Sequence, residues 1–430
     1  MIGARVDPAP SVEAKLVFVG YGLRAPEIGY DDFSGLDAKG KIAVYLAGAP
    51  SNLSGSLAAH YQSAAERWKT LKAAGIIGAI SLANPKHMDI PWSRQAANRS
   101  QATMALAAPG TNESEGEKIT VTWNPAHADD LLAGTGHSFD ELLALADAGK
   151  PLPHFDIPAS IKAKTAVIRG EVVSQNIAAI YPGSDPTLKN EYVVMSAHID
   201  HLGVGKPVGV GKPINGHAIF NGAMDNAAGV ATVLDTAATV KETKPKTRRS
   251  ILFLIVTGEE KGLLGSKYFA GNPTVPAKAI VADINTDMFL PLYPLKRLTV
   301  YGLDESTLGD DVRAVAKDMG IVVQLDPEPE RNSFIRSDQY SFILRGIPAL
   351  AMKDGYAKGS PEEIVFKSWL TERYHAVTDD LQQPVDKTAA ATFDLLAARL
   401  LERVANEGSR PTWKSDSFFR RYASQNEERE

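Results

Sequence analysis

The rhythm of apolar positions changes near residue 160. Before it the chain gives short strand-like runs, "AKLVFVGYG" (14–22), "KIAVYLAGA" (41–49) and "GIIGAISLANP" (75–85). Between the last two lies a helical stretch, "YQSAAERWKTLKAAG", which Gly75 can close as a C-terminal cap. "KITVTWNPAHADDLLAG" (118–134) reads as a strand followed by a helix. A proline-marked segment, "PLPHFDIPASIKAKTAVIRGEVVSQNIAAIYPGSD" (151–185), leads into two strands. From there strands and helices alternate. The strands are "EYVVMSAH", "SILFLIVTG", "KAIVADINTD" and "GIPALAM". The helices are "NAAGVATVLDTAATVKET", "LGSKYFAGN", "STLGDDVRAVAKDMG" and "DKTAAATFDLLAARLLERVANEG". Such alternation predicts an α/β domain with a mixed, largely parallel central sheet flanked by helices. The expected division is a β-rich first domain over 1–160, an α/β domain over 161–410 and a charged, fraying tail over 411–430.

Composition narrows the chemistry. The chain has 430 residues, 44% of them hydrophobic and 23% charged, enough for two or three domains with a sizeable core. Its formal net charge of -5 and the lack of any dense Lys/Arg block speak against nucleic acid or an anionic membrane as partner. The most basic run, "KETKPKTRR" (241–249), reads as a solvated helix end. There is no cysteine, which excludes disulfides, thiolate metal sites and cysteine nucleophiles. No run approaches the ~20 apolar residues of a membrane span. The repeated "VGKPVGVGKP" (204–213) lacks the spacing and the Ser/Thr of a phosphate loop and reads as a plain Gly/Pro loop.

In an open α/β sheet, sites form beyond the carboxyl ends of the strands. Here "MSAHIDHLG" puts His198, Asp200 and His201 after one strand. Glu259 and Glu260 follow a second, Asp287 a third, Asp225 precedes a helix, and His375 opens a later loop in "RYHAVTDD". Taken singly, Asp225 could be a helix N-cap and the two glutamates could be acids favoured near a helix start. Together, these five carboxylates and two of the histidines, His198 and His375, would repel one another unless cations neutralise them. Imidazole with carboxylate is a zinc-type ligand set. Two metals need a bridging carboxylate and a further pair of ligands each, the number that His198, Asp225, Glu260, Asp287 and His375 supply. His60, His87, His127 and His137 are scattered without ligand spacing and read as structural or surface histidines.

"VVMSAHIDHLG", "NGAMDNAAG", "VTGEEKGLLGSKYF", "INTDM" and "YHAVTDD" stand in the order and approximate spacing of a known family. Over essentially its whole length the chain resembles the di-zinc exopeptidases of the bacterial aminopeptidase and glutamate carboxypeptidase II group. Its first region, with "GYGLRAPEIGYDDF", "LDAKGKIAVYL" and "LKAAGIIGAI", resembles the protease-associated domain inserted in many members. The resemblance implies a phosphorylase/hydrolase-like fold, two Zn2+ per chain and peptide substrates. It pairs His198 with Asp287 on one zinc and Glu260 with His375 on the other, bridged by Asp225. It makes Glu259 the general base and Tyr374 a donor to the oxyanion. It sets Asp200, two residues from His198 on the same side of a strand, to orient that imidazole. It also implies a cis peptide after Asp225. His201 is expected to make a local hydrogen bond beside the site.

Two departures qualify the match. Many relatives carry Ser-Asp-His where this chain has "RSDQYSF", so Gln339 replaces a histidine and support from Asp338 is in doubt. Relatives also have a catalytic-domain segment ahead of the insert, often behind a signal peptide, which this chain lacks. A truncated, processed or late start is therefore expected, with a periplasmic or secreted full-length protein. The leading function is an aminopeptidase. A carboxypeptidase or dipeptidase on the same site is the nearest rival, with Arg331 and Arg336 as candidate carboxylate partners. A glutaminyl cyclase with one working zinc is disfavoured by the five ligands. A non-catalytic binding protein is disfavoured by Glu259, and a serine hydrolase by the lack of Gly-x-Ser-x-Gly. Oligomeric state is not readable.

Overall fold

A computed structural model describes the chain except residues 1, 4–7, 54, 89–90, 98–101, 109–110, 206–217, 332 and 428–430. Most of the Gly/Pro duplication at 204–213 lies outside the described residues. The chain divides into two units, Met1–Val172 with Pro329–Asn332, and Val173–Glu328 with Ser333–Glu430.

The first unit is built on a five-stranded sheet. Its strands are β1 (Ser11–Val19), β2 (Ile42–Leu46), β3 (Gly78–Leu82), β4 (Thr120–Trp123) and β5 (His154–Lys164), in the order β4-β3-β2-β1-β5. Neighbours run parallel except β5, which pairs antiparallel with β1 along its length. Helix α1 (Ala64–Ala73) buries Trp68 and Leu71 against Val17, Val19 and Ala43. Helix α2 (Phe139–Asp147) opens on a capping box from Ser138 and Glu141. The expected boundary at 160 cuts through β5, whose residues Ile161 and Lys164 pair with Ala14 and Ser11. The chain leaves the unit only at Val172. His127 and His137 sit beside Asp130 and Glu141, one helical turn on.

The second unit holds a seven-stranded mixed sheet. Its strands are β6 (Ile177–Tyr181), β7 (Tyr192–His198), β8 (Ser250–Val256), β9 (Ile280–Asn285), β10 (Arg297–Tyr301), β11 (Val322–Gln324) and β12 (Ala349–Asp354), in the order β11-β10-β12-β9-β7-β8-β6. The central strands β8, β7, β9 and β12 are mutually parallel, with β6 and β10 antiparallel to their neighbours. This is the expected mixed, largely parallel sheet. Both faces of the central strands are buried: Val193 and Met195 point one way, Val194 and Ser196 the other. That is why these strands read as continuous apolar runs rather than alternating ones.

Helices α3 (Ala228–Thr243), α5 (Leu308–Asp318) and α7 (Lys387–Asn406) form one core with the strands, through Val233, Val312, Phe393 and Leu400. Phe393 stacks on Phe289 with ring centroids 4.2 Å apart. Asp386 caps α7 by accepting from the N–H groups of Thr388 and Ala389. Helices α4 (Leu264–Gly271) and α6 (Pro361–Glu372) also belong to this unit. The sequence reading passed over α6, although "SPEE" carries its signal: Ser360 accepts from the Glu363 N–H and a proline opens the first turn. The expected frayed tail is a correction. Trp413 bridges to Ser306, Phe419 is fully buried, and a helix runs over Arg420–Glu427. The reason is that the charged stretch carries aromatic anchors that find apolar partners, among them Phe334.

Beneath the site, Asp283 on β9 is fully buried. Ser196 Oγ donates to its Oδ1 at 2.7 Å, while Oδ2 has no hydrogen-bond partner among the described residues. Burial raises its pKa well above the usual carboxylate value. With the folded pKa above the unfolded one, this group's stability contribution is full below the unfolded pKa and is lost as pH rises toward the folded pKa. Asp283→Asn is therefore expected to stabilise the metal-free protein at pH 8 relative to pH 5. The expected gain is on the order of 1 kcal/mol or more, because each pKa unit by which ionisation is disfavoured within this window is worth about 1.4 kcal/mol. Denaturant unfolding at the two pH values measures it, and an equal effect at both would contradict the argument.

Candidate metal centre

Each charged group of the second unit's cluster is delivered by a strand end or the turn beyond it. His198 ends β7 and is fully buried. Asp287 follows β9, held by Thr286, whose hydroxyl donates to the Ser196 carbonyl. Asp225 lies in the irregular turn before α3, where the Asp225–Asn226 peptide is cis. Asn226 ties this turn to the Asp287 segment. Its Nδ2 donates to the Thr286 carbonyl at 2.9 Å and its Oδ1 accepts from the Gly229 and Met288 N–H groups. From the other side, the Asp379 carboxylate of "HAVTDD" accepts from the Met224 and Asp225 N–H groups at 2.9 and 3.1 Å. The two ligand loops are thus joined by hydrogen bonds, a role the sequence reading did not give to Asp379. Two acids in a row at the end of that motif were its only signal.

Glu259 and Glu260 stand on a turn opened by Gly258 at φ +71°, a left-handed conformation that glycine adopts without strain. The Asp200 carboxylate accepts from both of their N–H groups, at 3.0 and 3.2 Å. Asp200 is expected to orient His198, and it does so without that carboxylate. Instead the Asp200 backbone carbonyl contacts His198 Nδ1 at 3.0 Å, and its carboxylate oxygen is 3.9 Å away. Asp200 thus fixes the imidazole with its main chain and the glutamate turn with its side chain. His375 is held at φ +54°, a left-handed value unusual for a residue with a Cβ.

The donor atoms converge. His198 Nε2 is 3.3 Å from Asp287 Oδ1 and 3.5 Å from Asp225 Oδ1. His375 Nε2 is 3.4 Å from Asp225 Oδ2 and 3.3 Å from Glu260 Oε2. Asp225 thus gives one oxygen to each side. His201 joins the second side with Nδ1 2.7 Å from Glu260 Oε1. Yet neither of its ring nitrogens, nor that oxygen, has hydrogen-bond geometry to any partner. The close contact of His201 beside the site is thus an ion pair with Glu260.

These separations test whether metals fit. Four donors about 2.0–2.1 Å from a tetrahedral zinc lie about 3.3 Å from one another. The observed 3.3–3.5 Å edges match that spacing and are long for charge-assisted hydrogen bonds. The donor types, imidazole and carboxylate, suit zinc as well.

Electrostatics points the same way. Burial alone would lower the pKa of His198, but the Glu259, Asp225 and Asp287 carboxylates raise it well above the ordinary value. His375 is pushed up to about 10, burial again being outweighed, here by Glu260 and Asp225. Glu260 falls to about 2 against the opposing effects of burial and Asp225, because His375 and His201 lie beside it. Asp225 is likewise held well below its usual range by His198 and His375 despite burial. The carboxylates thus favour positive charge on His198 and His375, a part that bound cations would take over. Glu259 behaves oppositely. Burial and the neighbouring carboxylates of Glu260, Asp287 and Asp338 raise its pKa well above normal, although His198 pulls it down.

The matching family model is that of peptidase family M28, over residues 176–401, more than half of the chain. The chain belongs to peptidase family M28. Among curated relatives it is 25% identical over 274 residues to leupeptin-inactivating enzyme 1 of Streptomyces exfoliatus, covering 64% of this chain and 51% of that one. It is 32% identical over 130 residues to leucine aminopeptidase 1 of Trichophyton equinum, covering 29% of this chain and 32% of that one. The chain thus spans about half the length of the first and about a third of the second. Among solved structures, an aminopeptidase from Aneurinibacillus sp. strain AM-1 aligns at TM-score 0.47 and 22% identity, over 91% of this chain and 75% of that one.

The family match places every expected ligand of this M28 chain inside the matched segment. The remaining candidates lie close by in the sequence. Tyr374 tilts over His375 with ring centroids 3.9 Å apart, and Arg336 Nη2 donates to its hydroxyl at 3.4 Å. Arg331 groups with the first unit instead. Gln339, in place of the relatives' histidine, is fully buried; it accepts from Asn285 Nδ2 at 2.8 Å and donates to the Phe334 carbonyl at 2.8 Å. Asp338 beside it is fully buried, and burial with the charges of Asp287 and Asp200 pushes its pKa up to about 7. No helix among the described residues is long and apolar enough to cross a membrane.

Proposed function

We propose that the chain is a metal-dependent exopeptidase that hydrolyses the N-terminal peptide bond of peptides. The observation that carries this reading is the convergence of two donor sets on one shared aspartate, with a second glutamate held beside them. His198 and Asp287 would hold one zinc, Glu260 and His375 the other, and Asp225 both. Bound zinc would polarise the scissile carbonyl and make the attacking water more acidic. Glu259, its pKa raised by burial and by its acidic neighbours, accepts the proton of the attacking water and delivers it to the leaving amine. The Tyr374 hydroxyl donates to the developing oxyanion, and the Arg336 guanidinium beside it strengthens that donor. The Asp200 contacts keep Glu259 and Glu260 aimed at opposite tasks. The first unit is read as an inserted protease-associated domain that leaves the metals to the second.

The same Arg336 favours a second reading, a carboxypeptidase or dipeptidase in which the guanidinium binds a substrate carboxylate. Three forms of one short peptide separate the two: free at both ends, N-acetylated, and C-terminally amidated. An aminopeptidase cleaves the free and amidated forms and spares the acetylated one. A carboxypeptidase cleaves the free and acetylated forms. Turnover of the acetylated peptide at the rate of the free one would overturn the aminopeptidase reading. No turnover of any form by zinc-loaded protein would overturn both.

A further inference from the structure

We propose that His201 is a fourth protein residue on the Glu260 side of the centre, ligating the metal there through Nδ1; this rests on the two-metal reading above. The imidazole is 6% exposed, and both ring nitrogens lack a hydrogen-bond partner among the described residues. A buried polar group without a partner is costly, so its surroundings should supply one. Nδ1 lies 2.7 Å from Glu260 Oε1 and 3.9 Å from Asp225 Oδ2, and the three donors lie within 4.8 Å of one another. Glu260 Oε1 is itself buried and without a hydrogen bond. A cation about 2 Å from both atoms, off the line that joins them, would satisfy the two together, with a bite narrower than the 3.3–3.5 Å edges of the other donors.

The surrounding chain holds the ring in that pose. His375 approaches Glu260 from its other oxygen, and the two imidazoles stand edge to face with centroids 5.7 Å apart. Gly222, at φ +64°, leaves room: a Cβ there would lie 2.8 Å from His201 Cγ. The two sides of the centre then differ. His198, Asp225 and Asp287 form a three-residue set, and so do His201, Asp225 and Glu260, to which His375 adds a contact at the other Glu260 oxygen; His201 thus gives the Glu260 side one more donor. The Glu260 side should fill first and hold its metal more tightly. Water and substrate would exchange on the His198 side.

Zinc titration calorimetry of chelator-stripped full chain tests this, together with X-ray absorption and visible spectra of the cobalt-loaded protein. Wild-type protein should take two ions in unequal steps. His201→Ala should weaken the tighter step by about 10–100-fold or more, at least the loss seen when a ligand's outer partner is removed. It should also lower the count of metal-bound imidazoles and change the cobalt spectrum. His201→Asn, whose amide oxygen can stand where Nδ1 stood, should recover part of the affinity. His201→Gln, which reaches toward the Nε2 position, should not. If His201→Ala does not fold, the Asn and Gln pair decides. Unchanged affinity and spectra in the folded variants would overturn the assignment and leave the two-metal reading intact. Wild-type protein that takes fewer than two ions would overturn both.

Discussion

Glu259→Gln is expected to cut kcat by about 10²–10⁴-fold or more while both metals stay bound. The amide is nearly isosteric but cannot take a proton from water. Glu260→Gln is expected to weaken one metal, since a neutral amide oxygen is a poorer ligand than a carboxylate. The backbone explains how neighbours come to differ. Gly258 turns the chain and the Asp200 carboxylate grips both N–H groups, so the two side chains leave one turn in different directions. Glu260 lies against His201 and His375, where positive charge holds its pKa near 2. Glu259 sits where burial and like charge raise its own. Activity and metal content measured on both variants decide the assignment. Metal lost from Glu259→Gln and kept by Glu260→Gln would show the pair reversed, and full activity in both would remove the catalytic reading.

Stripping the metals is expected to abolish activity and to lower the melting temperature on the order of 10 °C. The buried cluster contains Asp225, Glu260 and Asp287 in mutual contact with the histidines, and without cations it must protonate those histidines to remain closed. A ligand at a thousandfold excess over its Kd stabilises the folded state by about 4 kcal/mol. For a domain of this size each kcal/mol moves Tm by about 2–4 °C. Two equivalents of zinc should restore both properties, and cobalt or manganese can replace zinc because these donors do not select one metal. A chelated protein that melts and turns over as before would contradict the metal centre.

The sequence by itself determined the framework that places this centre. The central strands are buried on both faces, so they appear as uninterrupted apolar runs whose ends can be located to within about three residues. His198, Asp287 and the two glutamates could be named because chemistry sits beyond the carboxyl ends of such strands, and the structure brings them together with Asp225 and His375. Tertiary structure alone decided the rest. For His201 the sequence pointed only to a local hydrogen bond beside the site, and that its Nδ1 meets Glu260 follows from how the loop after β7 and the turn after β8 come together. Asp200 does meet His198, but a two-residue spacing does not say that its backbone oxygen makes the contact while its carboxylate turns to the glutamate N–H groups. The boundary after β5 lay hidden because a strand's allegiance depends on its hydrogen-bonding partner, here β1, some 140 residues away in the chain. Periodicity reports which face of an element is buried. Which loops meet above the sheet is settled by hydrogen bonds such as those from Asp379 and Asn226, which join segments far apart in sequence and leave no local pattern.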